Sequence, residues 1–482
     1  MTDRRAQISC AARRLAWAYL IITASTIAYV LVIAFFKGRE GLLDVLRPGP
    51  LSDLHVTVLF VGIAWILAGT VLVLLIRGAI TQRNIVFYLS LYLLAFLYVN
   101  TIRERNFFGD FPVYYKAAQS LNNGEPFEPT YLYPPLWATC IQPFAPLGEK
   151  ATLLVCLSVN FISLLLFFVL LDRILQRYGF SPNLARLLSL AALGINAAVL
   201  RNMLYVQVNI HLANLILLCM LLYRSHRFLA ALALGLAVHL KVTPLVLVIP
   251  FLLKKDWKWL GYFAIALAAV FLLTSAVNSP DYYLDFFNNI RDIRRDESLV
   301  LDEMNISLRD CSVDSVVRAT SVYLHLNPTA GTVIIWIIKL LVLLASLHVL
   351  SGCLRNRVFY ENGEDAVIFN SFPVLLFLMV MLSPIVWVHH LVLVIFPIIV
   401  FLKKTSKVEE IALWGAAYFL VFLVPTFDFF PLSFHRLLGL ALAFVLLWTF
   451  RKRSSDSDWF VRWNRGGIHS ILSRHDVDTQ EG

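Results

Sequence analysis

The chain carries repeated runs of apolar residues, most of them long enough to cross a lipid bilayer. A hydrocarbon core about 30 Å thick needs about 20 mostly apolar residues in a helix that rises 1.5 Å per residue. The clearest runs are 15–36, 55–76, 151–171, 260–277, 333–350, 367–382 and 437–450, with shorter ones at 87–102, 187–200, 210–223, 228–240, 243–253, 390–402 and 410–424. They predict an all-α polytopic membrane protein with about 12 to 14 crossings. Composition agrees, since only 15% of the 482 residues are charged, against roughly 25% in a soluble domain. A water-soluble globule is thereby excluded. The first run follows Arg13 and Arg14, exceeds the apolar core of a cleavable signal and has no clean cleavage site after it, so it is expected to remain as an anchor.

Charge fixes the expected orientation, because Lys and Arg in short loops are held on the cytoplasmic side. With residues 1–14 inside, alternation also places inside Arg77 and Arg83; Arg173, Arg177 and Arg186; Arg224 and Arg227; Lys254, Lys255 and Lys258; Arg355 and Arg357; Lys403, Lys404 and Lys407; and Arg451, Lys452 and Arg453. Both termini are then cytoplasmic, flanking a membrane domain over 15–450, and 451–482 forms a Ser-, Asp- and Arg-rich tail with the composition of a disordered segment. The net charge of +10 is spread over these clusters rather than gathered in one patch, so nucleic acid is not an expected partner. The six cysteines, Cys10, Cys140, Cys156, Cys219, Cys311 and Cys353, form no CxxC pair, and no Walker or GxGxxG loop is present.

Two long segments fall outside, 103–150 and 278–332, and segments of that length are usually functional. The first contains Asp110 a few residues after a span, at the membrane surface. A carboxylate in a partly desolvated, aromatic pocket has a raised pKa and suits a general base for a hydroxyl acceptor. The alternative role is an N-cap for an amphipathic helix in which Tyr114, Ala117, Ala118 and Leu121 share a face. Gly124 is expected to end that helix, and Tyr133-Pro134-Pro135 to stiffen entry to the next.

The string Gly109-Asp110-Phe111-x-Val113-Tyr114-Tyr115-x-Ala117-Ala118, followed by Tyr131-x-Tyr133-Pro134-Pro135-Leu136, resembles the first exoplasmic loop of glycosyltransferase family 87. Four further stretches match in order. Gln207-Val208-Asn209 resembles the family's GQxN, with Val206 where glycine is usual. Gly235-x-Ala237-x-x-x-Lys241-x-x-Pro244, Asn305-Ile306-Ser307 and Ser383-Pro384-x-x-Trp387-x-His389-His390 resemble its remaining motifs, so the similarity spans about 100–400. The resemblance implies a GT-C type bundle with its active site at the outer leaflet. It also implies a polyprenyl-phosphate-linked sugar as donor, a glycolipid or cell-envelope glycan as acceptor, and Asp110 as the catalytic base of an inverting transfer. Mannose is the sugar the family suggests, with arabinofuranose, glucose or another pentose as alternatives. A phosphate substituted on both sides carries one negative charge, which a few Lys, Arg or His residues can neutralise, so no metal or other cofactor is expected.

Lys241 is the leading phosphate candidate, because an ionisable group at membrane depth is by default functional; snorkelling to the interface is the alternative. Only one of His389 and His390 is expected to face the site, since adjacent helical side chains diverge. Arg201, Gln207 and Asn209 are candidates for sugar or phosphate contacts or, alternatively, caps between spans. Tyr114, Tyr133, Asn305 and Ser307 are candidate acceptor or loop contacts, and His211 and His239 are expected to pack within the bundle. Arg291, Asp292, Arg294, Arg295, Asp296 and Glu297 suggest a solvated helix face. Asn305-Ile306-Ser307 is also a formal glycosylation sequon. The rival function is a lipid or solute transporter, which would place charges near the midplane, as Lys339 is placed here.

Overall fold

The computed structural model describes residues 109–194, 196–295, 310–325, 327–361, 363–424 and 432–453. The expected spans at 15–36, 55–76 and 87–102, together with Asn305, Ser307 and nearly all of the tail, lie outside these residues. The described residues are helical with no strand, as the apolar periodicity predicts.

The first long loop is folded. It forms α1 (Phe111–Asn123), ended by Gly124 at φ +70°, and α2 (Pro135–Ile141), which Pro134 and Pro135 start without needing an amide donor. A 3₁₀ turn, Gln142–Leu147, leads into the long α3 (Glu149–Arg177). The apolar run expected as one helix over 187–200 is instead two, α4 (Pro182–Gly194) and α5 (Ala197–Leu204), meeting at 55°. Asn196 accounts for the break, because its Oδ1 accepts the amides of Ala198 (2.9 Å) and Val199 (3.3 Å) and so caps α5 inside the run.

α6 (Asn209–Leu222) and α7 (Arg227–Leu240) follow, then a 3₁₀ turn, Thr243–Val248, continuing as α8 (Ile249–Leu253). Asp256 caps α9 (Trp257–Val277). The second long loop contributes α10 (Asp281–Arg295) and α11 (Val313–Tyr323) before α12 (Pro328–Asn356). α13 (Ala366–Met381) ends before Pro384, and after an extended stretch a 3₁₀ turn, Val388–Val394, passes into α14 (Ile395–Leu402). α15 (Val408–Tyr418) and α16 (His435–Phe450) complete the described part.

Among the described residues, α3, α9 and α12 are each long and apolar enough to cross a bilayer, and the bent α4–α5 pair makes a fourth if taken as one span. Shorter apolar helices occupy most of the remaining predicted runs. α13 is apolar all round and buried almost throughout, which makes it the centre of the bundle. Its one buried amide is fully used: Asn370 accepts from the Phe359 and Tyr360 amides and donates to the carbonyls of Tyr360 and Ala366. α9 and α12 instead expose Ile265, Leu272, Leu273, Trp336, Leu340, Leu341 and Leu344. An apolar surface that continuous is the face of a membrane protein turned to lipid.

The mid-span charge Lys339 is paired with Asp314 of α11, both largely buried. The two long loops also meet. Phe127 packs at a tilt against Tyr131 (4.6 Å between centroids) and Tyr282 (4.9 Å), and its amide donates to Asp285 (3.3 Å). Asn289 donates to the carbonyl of Glu128 at 2.9 Å. His239 ties this layer to the bundle by bonding Tyr283 and the Leu267 carbonyl, each at 3.0 Å.

Candidate active site

Asp110 occupies the N-cap position of α1, but its carboxylate caps nothing. Pro112 lacks one of the amides such a cap would serve, and the backbone carbonyl of Asp110 already takes those of Val113 and Tyr114. The carboxylate turns inward and accepts a hydrogen bond from Gln207 Nε2. Gly109 makes the turn possible. Its φ is +51°, and a Cβ there would lie 2.3 Å from the Tyr205 ring. Burial pushes the Asp110 carboxyl up from the ordinary carboxylate range, with the Gln207 bond and the Lys241 charge opposing part of that rise.

Gln207 is the hub. Its Oε1 accepts from Tyr114 (3.1 Å), Asn209 (3.3 Å) and Tyr133 (3.5 Å). These donors leave Nε2 as the amide end for Asp110, so the Gln207 orientation follows from its neighbours. Burial raises the Tyr114 and Tyr133 phenols, which therefore stay protonated as donors. The two rings meet edge to face at 5.3 Å.

Lys241 follows the end of α7 in extended backbone, just before the break at Thr243-Pro244. Its Nζ donates to Asn209 Oδ1 (3.4 Å), approaches His390 Nε2 (2.9 Å) and lies 5.9 Å from the Tyr133 ring centroid. An ammonium can only donate, so His390 Nε2 accepts. His390 is thus the member of the pair that meets Lys241. His389 turns away, perpendicular to it, between the rings of Tyr205 (6.1 Å) and Trp387 (6.3 Å), while its carbonyl accepts from Asn202 at 2.7 Å. Arg201 reaches the same side, bonded to the Tyr205 hydroxyl.

The structure therefore brings together Asp110, Tyr114, Tyr133, Gln207, Asn209, Lys241 and His390, with Arg201 and His389 behind them. His211 and His239 pack within the bundle; His211 bonds Asn160 and Ser163, each at 2.7 Å. Asn305 and Ser307 lie outside the described residues. Sequence reading missed two contributors, Tyr205, which supports Arg201 and His389, and Asp310, buried beside the Ser383–His390 stretch. The signal for Asp310 was available in Asp310-x-Ser312, an acid two residues before the cap of α11. Among the described residues, no three His, Cys, Asp or Glu side chains form a metal-binding group.

Chemically, the set presents a desolvated carboxylate and a partly buried Lys–His pair joined through two amides, beside an aromatic wall. None of the curated proteins compared with the chain matches it. Residues 131–384 match the family model of Glycosyltransferase family 87, a segment that includes Tyr133, Arg201, Gln207, Asn209 and Lys241 and leaves out Asp110, Tyr114, His389 and His390. With more than half of its length matched, this membrane protein belongs to glycosyltransferase family 87.

Proposed function

We propose that the protein transfers a sugar from a polyprenyl-phosphate donor to a hydroxyl of a glycolipid or cell-envelope glycan at the exoplasmic face of the plasma (inner) membrane, in a GT-C type arrangement. The observation that carries this reading is the continuous path Asp110–Gln207–Asn209–Lys241–His390, which links a partly buried carboxylate through two amides to a partly buried ammonium. Asp110 takes the proton of the acceptor hydroxyl as its oxygen attacks the anomeric carbon. The bond from that carbon to the phosphate oxygen breaks, polyprenyl phosphate leaves with the electron pair, and the configuration inverts. The leaving phosphate gains negative charge in this step; the Lys241 ammonium supplies the cation that stabilises it, and His390, which accepts from that ammonium, orients it. Lys241, a cation already in contact with the path to Asp110, supplies the countercharge for which other enzymes use a metal, so transfer is expected to survive chelation.

Tyr133 and Tyr114 offer an aromatic wall and hydroxyl donors for sugar or acceptor, and Arg201 and His389 reinforce the phosphate side. Mannose is the first donor sugar to try. The test is transfer from radiolabelled polyprenyl-phosphate sugars to membrane lipids and glycans, with EDTA present. Replacing Asp110 by Asn is expected to lower turnover by a factor of about 10² to 10⁴, the usual worth of a positioned base. Equal activity in both proteins removes Asp110 from the chemistry.

A further inference from the structure

Asp310 lies outside the path just described, yet its carboxylate is buried and fully engaged. Oδ1 accepts the amides of Ser312 (2.9 Å) and Val386 (2.7 Å). Oδ2 accepts the hydroxyls of Ser312 (3.0 Å) and Ser315 (2.8 Å). The next residue completes the grip, because both the amide and the thiol of Cys311 donate to the Val386 carbonyl at 2.9 Å. Both polar groups of the Val386 backbone are therefore held by residues 310 and 311.

Val386 stands in the non-helical stretch between α13 and the turn that carries His390. Its two neighbours are the ones that touch the His390 ring: the Ile385 carbonyl bonds it, and the Trp387 amide lies 3.3 Å from Nδ1. The opposite edge of that ring meets Lys241. This stretch has no helical hydrogen bonds of its own to fix it, so its course depends on outside partners.

We propose that Asp310 is a positioning residue for donor recognition: by gripping Val386 it sets the His390 ring against Lys241 and so ties α11 of the second long loop to the phosphate side of the site. This rests on the reading of Lys241 as the phosphate contact and of His390 as the residue that orients it. Asn can replace Asp310 with most of the grip intact, since its Oδ1 still accepts both amides and its Nδ2 can donate to the serine oxygens. Ala abolishes the grip. Ser312→Ala removes the cap of α11, whose Oγ takes the Ser315 amide at 3.2 Å, together with one hydroxyl bond to Asp310 Oδ2, but leaves both Asp310 Oδ1 bonds, including that to Val386, in place.

The experiment measures binding of polyprenyl monophosphate, the proposed leaving product, to the purified full-length protein. It adds separate KM values for donor and acceptor, and thermal midpoints to confirm folding. Lys241→Ala is the control. Asp310→Ala is expected to weaken polyprenyl-phosphate binding and raise donor KM by about tenfold or more, the scale of loss when a contact is misplaced. Acceptor KM should stay within about twofold, Asp310→Asn should recover most of the binding, and Ser312→Ala should lower only the thermal midpoint. Loss of binding in Lys241→Ala with none in folded Asp310→Ala overturns the positioning role while leaving the proposed function intact. Equal changes in Ser312→Ala and Asp310→Ala reduce Asp310 to a helix-capping group. Unchanged binding in Lys241→Ala removes the phosphate assignment itself, and the inference with it.

Discussion

At the scale of single residues, the backbone at 109 and 206 does as much to build the site as the side chains. Val206 is buried and holds φ +53°, at the position where the resemblance expects glycine. A β-branched residue there is strained by about 1–2 kcal/mol. Replacing it removes buried methyls in either case, but only glycine also relieves the dihedral. Val206→Gly is therefore expected to be more stable than Val206→Ala by about 1 kcal/mol, reversing the usual order of the two residues. Thermal inactivation of the purified pair checks this. Gln207 supports a second prediction. Its hydrogen bond favours the ionised form of Asp110 against the upward push of burial. Only the ionised form accepts a proton, so activity falls as pH drops through the Asp110 pKa. Gln207→Leu removes a lowering contribution, and the acid limb of the kcat/KM profile is expected to move toward higher pH. An unmoved limb would assign the titration to another group.

At the scale of elements, apolar runs were legible because helix length and bilayer thickness impose one period on the sequence, and α3, α9 and α12 fall where expected. What the runs did not reveal is where polar side chains break them. Asn196 divides one predicted span, and nothing in hydropathy distinguishes a capping Asn from a tolerated one. Asp110 was legible as a candidate base and as a cap. The fold removes the side-chain cap, by bringing Gln207, 97 positions away, against its carboxylate. The Lys339–Asp314 pair was likewise hidden, because it joins α12 to a loop helix whose position the sequence does not specify. Breaking one partner of a buried pair costs about 3–5 kcal/mol, whereas removing both is far milder. Lys339→Met is thus expected to destabilise the protein strongly and the double variant with Asp314→Asn to recover much of the loss, as a double-mutant cycle on thermal stability would show. A cycle without coupling would leave Lys339 free for the midplane role that a transporter requires.

At the scale of the whole molecule, the two long loops form one layer over the end of the bundle that carries the site, joined through Phe127, Tyr282 and Asn289. Of the cysteines in the described residues, Cys140 on α2 is exposed, while Cys156, Cys219, Cys311 and Cys353 are buried. If the layer is exoplasmic, a membrane-impermeant maleimide added to intact cells labels the Cys10→Ser protein, and Cys140→Ser abolishes that labelling. Desolvation pushes the Cys140 thiol up, which lowers the thiolate fraction at neutral pH, so labelling should accelerate as pH rises. Labelling only after the cells are opened would invert the proposed topology.

The electrostatic contact between Lys241 and Asp110 also bears on when the enzyme is reactive. The ammonium helps hold Asp110 down as a weaker base. Under the proposed function, an anionic donor phosphate docking on Lys241 would screen that influence, and Asp110 would then become more basic as the sugar arrives. On this account the proton acceptor is armed by its own co-substrate, so that neither water nor acceptor is activated before a lipid-linked sugar is in place.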